Sequence, residues 1–231
     1  MNSNDSCTLE CTETLRPQRM ESSNLERAYP VLSLPPEIVS EIFANFLPVY
    51  PECLPNSGLL SPMLLCRICR LWREIALSTV VLWRAISKER LLAELELLRT
   101  WLARSRYYPL SLNLDFKRFN SPSTLVPQFL QTAVHHCRRW EHVEICMPSE
   151  HLHLIQGDTP LLQSLTFGPS MLPSVGDHGR LDLFEQAQQL KSVTLTHHFL
   201  YSLYRLPCAQ LTHLDGYFCM SANVLNFSVT P

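Results

Sequence analysis

The sequence predicts an α plus α/β protein in which a small helical module precedes an irregular α/β repeat solenoid. Three observations carry this prediction. Apolar residues recur at helical spacing up to about residue 106, and short alternating segments such as Leu110–Leu114 follow. One apolar pattern then returns at intervals of 22, 28 and 21 residues. With 46% apolar residues in 231, the chain can build the required core.

Residues 1–33 are predicted to be a disordered leader, because they hold few large apolar residues and show no periodicity. The chain has neither a secretory signal nor an apolar run of about 18 residues, which favours the cytoplasm or nucleus and no membrane partner. A net charge of −2 argues against a nucleic-acid partner. Nine scattered cysteines favour reduced thiols over structural disulfides.

Residues 34–86 are predicted to form the helical module. Pro35, Pro36 and Glu37 are typical of a first helical turn. The apolar stripe of this helix consists of Ile38, Val39, Ile42, Phe43 and Phe46, and Pro48 ends it. After a proline-rich connection, Ser61-Pro62 predicts the start of one long second helix that reaches Ala76. A short element at Leu82-Trp83 closes the module.

A linking helix is predicted over 87–108, and a leucine-rich-repeat-like solenoid over 109–231. Its strand pattern is Trp140/Val143/Ile145, Leu162/Leu165/Phe167, Leu190/Val193/Leu195 and Leu211/Leu214, with helical stripes at Phe129–Cys137 and Leu183–Leu190 between the strands. Only Cys219 occupies the position where such repeats carry Asn or Cys, so a generic α+β domain with coincidental spacing stays an alternative. The chain ends without a capping helix, which is typical of a truncated array or a poorly ordered last strand.

Three blocks of the module carry a family resemblance. The strings LPPEIVSEIFANFLP, LLCRICRLWREIA and LWRAI, in this order, resemble the F-box along its whole length. The segment from Trp101 to Pro148 is further similar to the region that follows the F-box in mushroom-type fungal F-box proteins. The Pro48–Pro62 connection is longer than the usual F-box loop.

The resemblance implies a substrate-recognition subunit of a Skp–cullin–F-box ubiquitin ligase. It would bind a Skp-type adaptor, through it a cullin-RING ligase, and an unknown protein substrate. The adaptor-binding residues are predicted to be Leu34, Pro35, Ile38, Ile42, Leu64 and Leu65, and the module core to be Phe43, Ile68, Cys69, Trp72 and Trp83. The substrate-binding residues cannot be named. The alternative is a protein-interaction scaffold without a role in degradation.

Other chemistry is weakly indicated. Cys66 and Cys69 have the CxxC spacing of zinc sites, with His135, His136 and Cys137 farther along, but buried thiols are favoured because both cysteines fall inside a predicted helix. Arg67, Arg70 and Arg73 are expected to line one exposed helical face, which could form a rim of the adaptor interface. No catalytic motif is present, so we predict no enzyme activity, no metal and no cofactor.

Overall fold

The computed structural model describes residues 30–55, 57–87, 94–116, 125–169, 184–196, 206–220 and 223–229. The chain divides into two compact units, Met1–Pro35 and Pro36–Pro231. In the first unit, Pro30–Ser33 form a 3-10 turn inside the predicted leader. The rest of that leader, residues 1–29, lies outside the described residues.

Five α-helices occur in the described part of the second unit. They are α1 Pro36–Phe46, α2 Pro62–Ile68, α3 Arg70–Ser78, α4 Glu94–Arg104 and α5 Val126–Val134. The predicted first helix is confirmed from Pro36 to Phe46, and Pro35, predicted in its first turn, precedes it. Helix α2 begins as predicted, because the Ser61 side chain accepts the backbone N–H of Met63 and Pro62 occupies the first turn. In this part of the chain, no helix combines the length and apolar character needed to cross a membrane.

The prediction of a single long second helix is wrong. It is broken at Cys69, whose backbone is extended, with φ −152° and ψ 173°. The Cys69 thiol accepts the Trp72 backbone N–H at 3.4 Å and so caps α3, while Arg73 Nε donates to the Cys66 carbonyl at 2.7 Å. Side chains therefore satisfy backbone groups that the break leaves open, which periodicity alone could not indicate.

In the described part of the chain, the sheet has seven strands in sequential order. Their bounds are β1 Ala85–Ser87, β2 Leu110–Asp115, β3 Trp140–Met147, β4 Ser164–Pro169, β5 Ser192–Thr196, β6 His213–Met220 and β7 Asn223–Val229. The first six strands are parallel, and β7 pairs with β6 in the antiparallel sense. The strands predicted around Val143, Leu165, Val193 and Leu214 are confirmed.

The two faces of the sheet differ in chemistry. Val143, Leu165 and Val193 are neighbours in register and are buried on one face. The edge-to-face pairs Phe116–Phe129 and Phe167–Phe184 bring α5 and the turns after residue 184 onto this face. The other face carries the alternating polar residues. The core therefore lies between one face of the sheet and the helices and turns that cover it.

The predicted fold class is wrong. The chain is an α/β fold built on six parallel strands, and not a small helical module followed by a leucine-rich-repeat-like solenoid. Strand β1 lies inside the predicted module and pairs with β2, with Ala85 opposite Ser111. The predicted regular alternation also fails, since Phe184, Ala187 and Leu190 are buried in turns and not in a helix. Periodicity records burial, and a tight turn can bury the same residues as a helix.

Candidate functional site

Helix α1 presents an exposed apolar stripe, which we call the docking face and define as Ile38, Ile42 and Phe46. These residues follow one another at intervals of four and so lie along one side of the helix. Their exposed fractions are 50%, 47% and 49%. Large aliphatic and aromatic side chains in a contiguous row are unfavourable in water, so this side of α1 is suited to a partner protein.

The adjacent side of α1 holds the helix in place. Val39 and Phe43 are each 1% exposed, and the Phe43 ring meets Trp72 of α3 edge to face at 4.9 Å. The two apolar stripes therefore have different roles. One packs inside the protein, and the other, one residue earlier at each turn, remains at the surface.

The other predicted adaptor-binding residues differ in their exposure. Leu34 is half-buried and Pro35 exposed in the first unit. In α2, Leu64 is half-buried, whereas Leu65 is 3% exposed and belongs to the core. Leu65 is thus corrected to a core residue, because the α2–α3 pair turns its side chain inward.

The predicted module core needs one correction as well. Ile68 is 53% exposed, because α2 ends there and the break at Cys69 turns its side chain to the surface. Phe43 and Trp83 are buried, and Cys69 and Trp72 are half-buried. Leu71, which follows the break, is also exposed. Ile68, which was predicted to lie in the module core, and Leu71 therefore both add exposed apolar surface.

Exposed apolar side chains are concentrated at one end of the chain. Of the eleven large hydrophobic residues that are exposed in the described ranges, all but Tyr107 lie between residues 31 and 81. Single exposed apolar residues are normal on a protein surface, whereas a contiguous row such as the docking face is typical of an interaction site. Among the residues whose burial is described, most exposed large hydrophobic side chains therefore belong to the segment that carries α1, α2 and α3.

The connection between α1 and α2 makes contacts that the sequence did not indicate. The Tyr50 hydroxyl donates to Glu141 Oε2 at 2.7 Å, and the Arg84 guanidinium lies 3.9 Å from the centre of the Tyr50 ring. Ser111 Oγ donates to the Pro51 carbonyl at 2.5 Å. This connection thus ties the helical segments to strands β2 and β3. Because 91 residues separate Tyr50 from Glu141, no local pattern could reveal the contact.

The stability of the protein at alkaline pH tests the role of Tyr50 in this connection. Burial, and then the hydrogen bond to Glu141, raise the pKa of Tyr50 above its usual value of 10.0. An unfolded phenol ionises near pH 10, whereas the folded one stays neutral, so the stabilisation is complete below that pH and is lost as pH rises further. We expect Tyr50→Phe to lose less stability than the wild type between about pH 8 and about pH 11.

The measurement is the urea midpoint as a function of pH. Tyr107→Phe serves as the control, because it removes a tyrosine from an exposed position. Equal slopes for the wild type and Tyr50→Phe would contradict the role assigned to Tyr50. A weaker pH dependence of the urea midpoint in Tyr107→Phe, without one in Tyr50→Phe, would also contradict that role.

The CxxC segment is built into the helix break. Cys66 is buried, and burial raises the pKa of its thiol, which disfavours the thiolate that zinc requires. Cys69 caps α3. Within the described ranges, no three His, Cys, Asp or Glu side chains are grouped as metal ligands. The arginine row is also interrupted, since Arg70 pairs with Glu74 at 2.9 Å and Arg73 binds the Cys66 carbonyl.

Comparison of the chain with protein-family models, with curated proteins and with solved structures found no significant match.

Proposed function

We propose that this protein is a substrate receptor of a Skp–cullin–F-box type ubiquitin ligase, and that the docking face of α1 binds the Skp-type adaptor. The observation that carries the proposal is the exposure of Ile38 and Ile42, the two residues of α1 that the resemblance assigns to the adaptor. A receptor of this kind acts by holding two proteins together and needs no catalytic residues. It would work in the cytoplasm or nucleus.

The energetics of the docking face favour a protein partner. Full burial of one large apolar side chain contributes roughly 1.5–3 kcal/mol, and the docking-face residues already have about half of their surface covered. The three residues together therefore offer about 2–4 kcal/mol. This amount is typical of the central anchors of an interface, to which polar rim contacts add.

The rim of the docking face is polar and ordered. Glu37 and Glu41 are exposed on α1, and Asn45 Nδ2 donates to the Glu41 carbonyl and to Glu41 Oε1. Such rim residues influence association rate and specificity more than affinity. A partner must therefore bring an apolar groove together with groups that accommodate two carboxylates.

Reconstitution tests the proposal. The full chain is coexpressed with the Skp-type adaptor of its organism, purified through a tag on the chain and analysed by size-exclusion chromatography with light scattering. We expect a one-to-one complex of submicromolar affinity. A chain that unfolds cooperatively but elutes without the adaptor would rule out the receptor function.

Affinity purification from the native organism followed by mass spectrometry separates the receptor from a scaffold. A receptor retains the adaptor, the cullin and a client, and the client is ubiquitylated when the purified ligase is supplied with the ubiquitin-activating and ubiquitin-conjugating enzymes. Adaptor without cullin, or a bound client that stays unmodified, favours a scaffold with no role in degradation.

A further inference from the structure

The second surface of interest is the sheet face that points away from α5. In one row across the sheet, Asn113, Glu144, Thr166, Thr194 and Asp215 are neighbours in register. A second row on this face contains His142, Ser164, Ser192 and His213. Residues between them along the strands, such as Val143 and Val193, are buried on the other face. We call this surface the polar sheet face.

Polar side chains on a parallel sheet are informative, because such sheets are normally covered by apolar contacts on both faces. Glu144 is exposed, and Thr166, Thr194 and Asp215 are partly exposed. The connection between α1 and α2 covers the β2 end of this face, because the Tyr50 ring meets His142 edge to face at 5.6 Å and Ser111 Oγ donates to the Pro51 carbonyl. The accessible part therefore runs from β3 to β6.

The Asp, Glu, Lys and Arg side chains described on the polar sheet face are all carboxylates. Asp115, Glu144 and Asp215 lie on it, and none of its described side chains belongs to Lys or Arg. Asn113 Nδ2 donates to Glu144 Oε2 at 2.7 Å, which orients this carboxylate. A surface of this charge repels phosphate groups and attracts cationic side chains.

The spacing fits an extended chain. Glu144 and Asp215 are three strands apart, or about 14 Å at the usual distance between strands. About four residues of extended polypeptide span that distance. The hydroxyls of Ser164, Ser192 and Thr194 can both donate to and accept from a peptide backbone. Lysine or arginine side chains of such a segment would meet the carboxylates at either end.

We propose that the polar sheet face binds an extended, lysine- or arginine-rich segment of the client protein. This inference rests on the proposed receptor function, because only a receptor would have a client protein as its ligand. The binding itself takes place at residues separate from the docking face. Adaptor binding at the docking face and peptide binding at the polar sheet face can therefore fail independently.

The probe is a pair of short fluorescent peptides in which serine alternates with lysine or with glutamate, and fluorescence anisotropy on the full chain measures binding. We expect the lysine peptide to bind and to be released as salt rises, because exposed charge pairs are screened. Glu144→Gln should weaken binding about threefold, and Glu144→Gln with Asp215→Asn about tenfold. Glu144→Asp keeps the negative charge and should therefore still bind the lysine peptide.

Two controls make the result specific. Glu96→Gln removes a carboxylate whose side chain is 79% exposed on α4, and it should bind the lysine peptide as the wild type does. The Ile38→Ala, Ile42→Ala double variant should also bind it normally. Equal binding of the glutamate peptide, unchanged binding by the Glu144, Asp215 double variant, or an equal loss in Glu96→Gln would overturn the proposal.

The outcomes also separate this inference from the receptor function. Peptide binding without adaptor binding would remove the receptor function and leave the polar sheet face as a site for basic segments. Adaptor binding without peptide binding would remove this inference alone.

Discussion

Replacing Ile38 and Ile42 together by Ala will weaken adaptor binding by roughly 10- to 150-fold, which corresponds to about 1.5–3 kcal/mol. Both side chains are about half exposed on the docking face of α1, so truncation removes area that the adaptor would bury. The core should stay intact, because Val39 and Phe43, on the adjacent side of α1, are unchanged. Titration calorimetry with the purified adaptor measures the loss.

The matched control for this variant is Tyr107→Ala. It removes a large, exposed side chain from a position outside the helical segments that carry the docking face. Adaptor affinity should not change in the control, and the thermal midpoints of both variants should lie near that of the wild type. Unchanged affinity in the Ile38, Ile42 double variant would assign the docking face no part in adaptor binding.

Replacing Trp83 by Ala will destabilise the protein by about 3–5 kcal/mol, the usual cost of truncating a buried aromatic residue. Trp83 is 0% exposed. Its Nε1 donates to the Ala76 carbonyl at 3.0 Å, and its ring meets Trp101 edge to face at 4.9 Å. One side chain therefore joins α3 and α4 directly before β1 begins, and its loss leaves a cavity between these elements.

Urea denaturation followed by circular dichroism measures the destabilisation. A pair of phenylalanine variants separates packing from hydrogen bonding. Trp83→Phe loses the bond to Ala76, whereas the buried Trp72 Nε1 has no hydrogen-bond partner among the described residues, so Trp72→Phe loses none there. Trp83→Phe should therefore be the more destabilised by about 1–2 kcal/mol. A loss below about 1 kcal/mol in Trp83→Ala would contradict the central place of this residue.

Local signals predicted the individual elements well. Prolines and an apolar stripe located α1, and the pattern around Val143, Leu165 and Val193 located three parallel strands. Such signals work because a helix start and an alternating strand depend on neighbouring residues. The spacing of apolar residues did not separate the exposed Ile38 and Ile42 from the buried Val39 and Phe43. The assignment of Ile38 and Ile42 to an adaptor came from the resemblance and stays a prediction.

The predictions failed where residues that are far apart in the sequence contact each other. The division into a helical module and a separate solenoid failed because β1 pairs with β2, and because the α1–α2 connection binds Glu141 and Ser111. Leu65 lies in the core because of the packing of α2 with α3, and Ile68 lies at the surface because α2 ends there, before the break at Cys69. Each of these depends on a partner that periodicity does not identify.

By itself, the sequence determined where most helices and strands begin and which stripes are apolar, because these features follow from local backbone preferences and the spacing of hydrophobic side chains. Only the tertiary structure decided which apolar stripe of α1 is buried and which is exposed, and that six parallel strands form one sheet with a polar face. The physical reason is that burial and register are set by contacts between residues far apart in the chain, such as Tyr50 with Glu141 and Glu144 with Asn113.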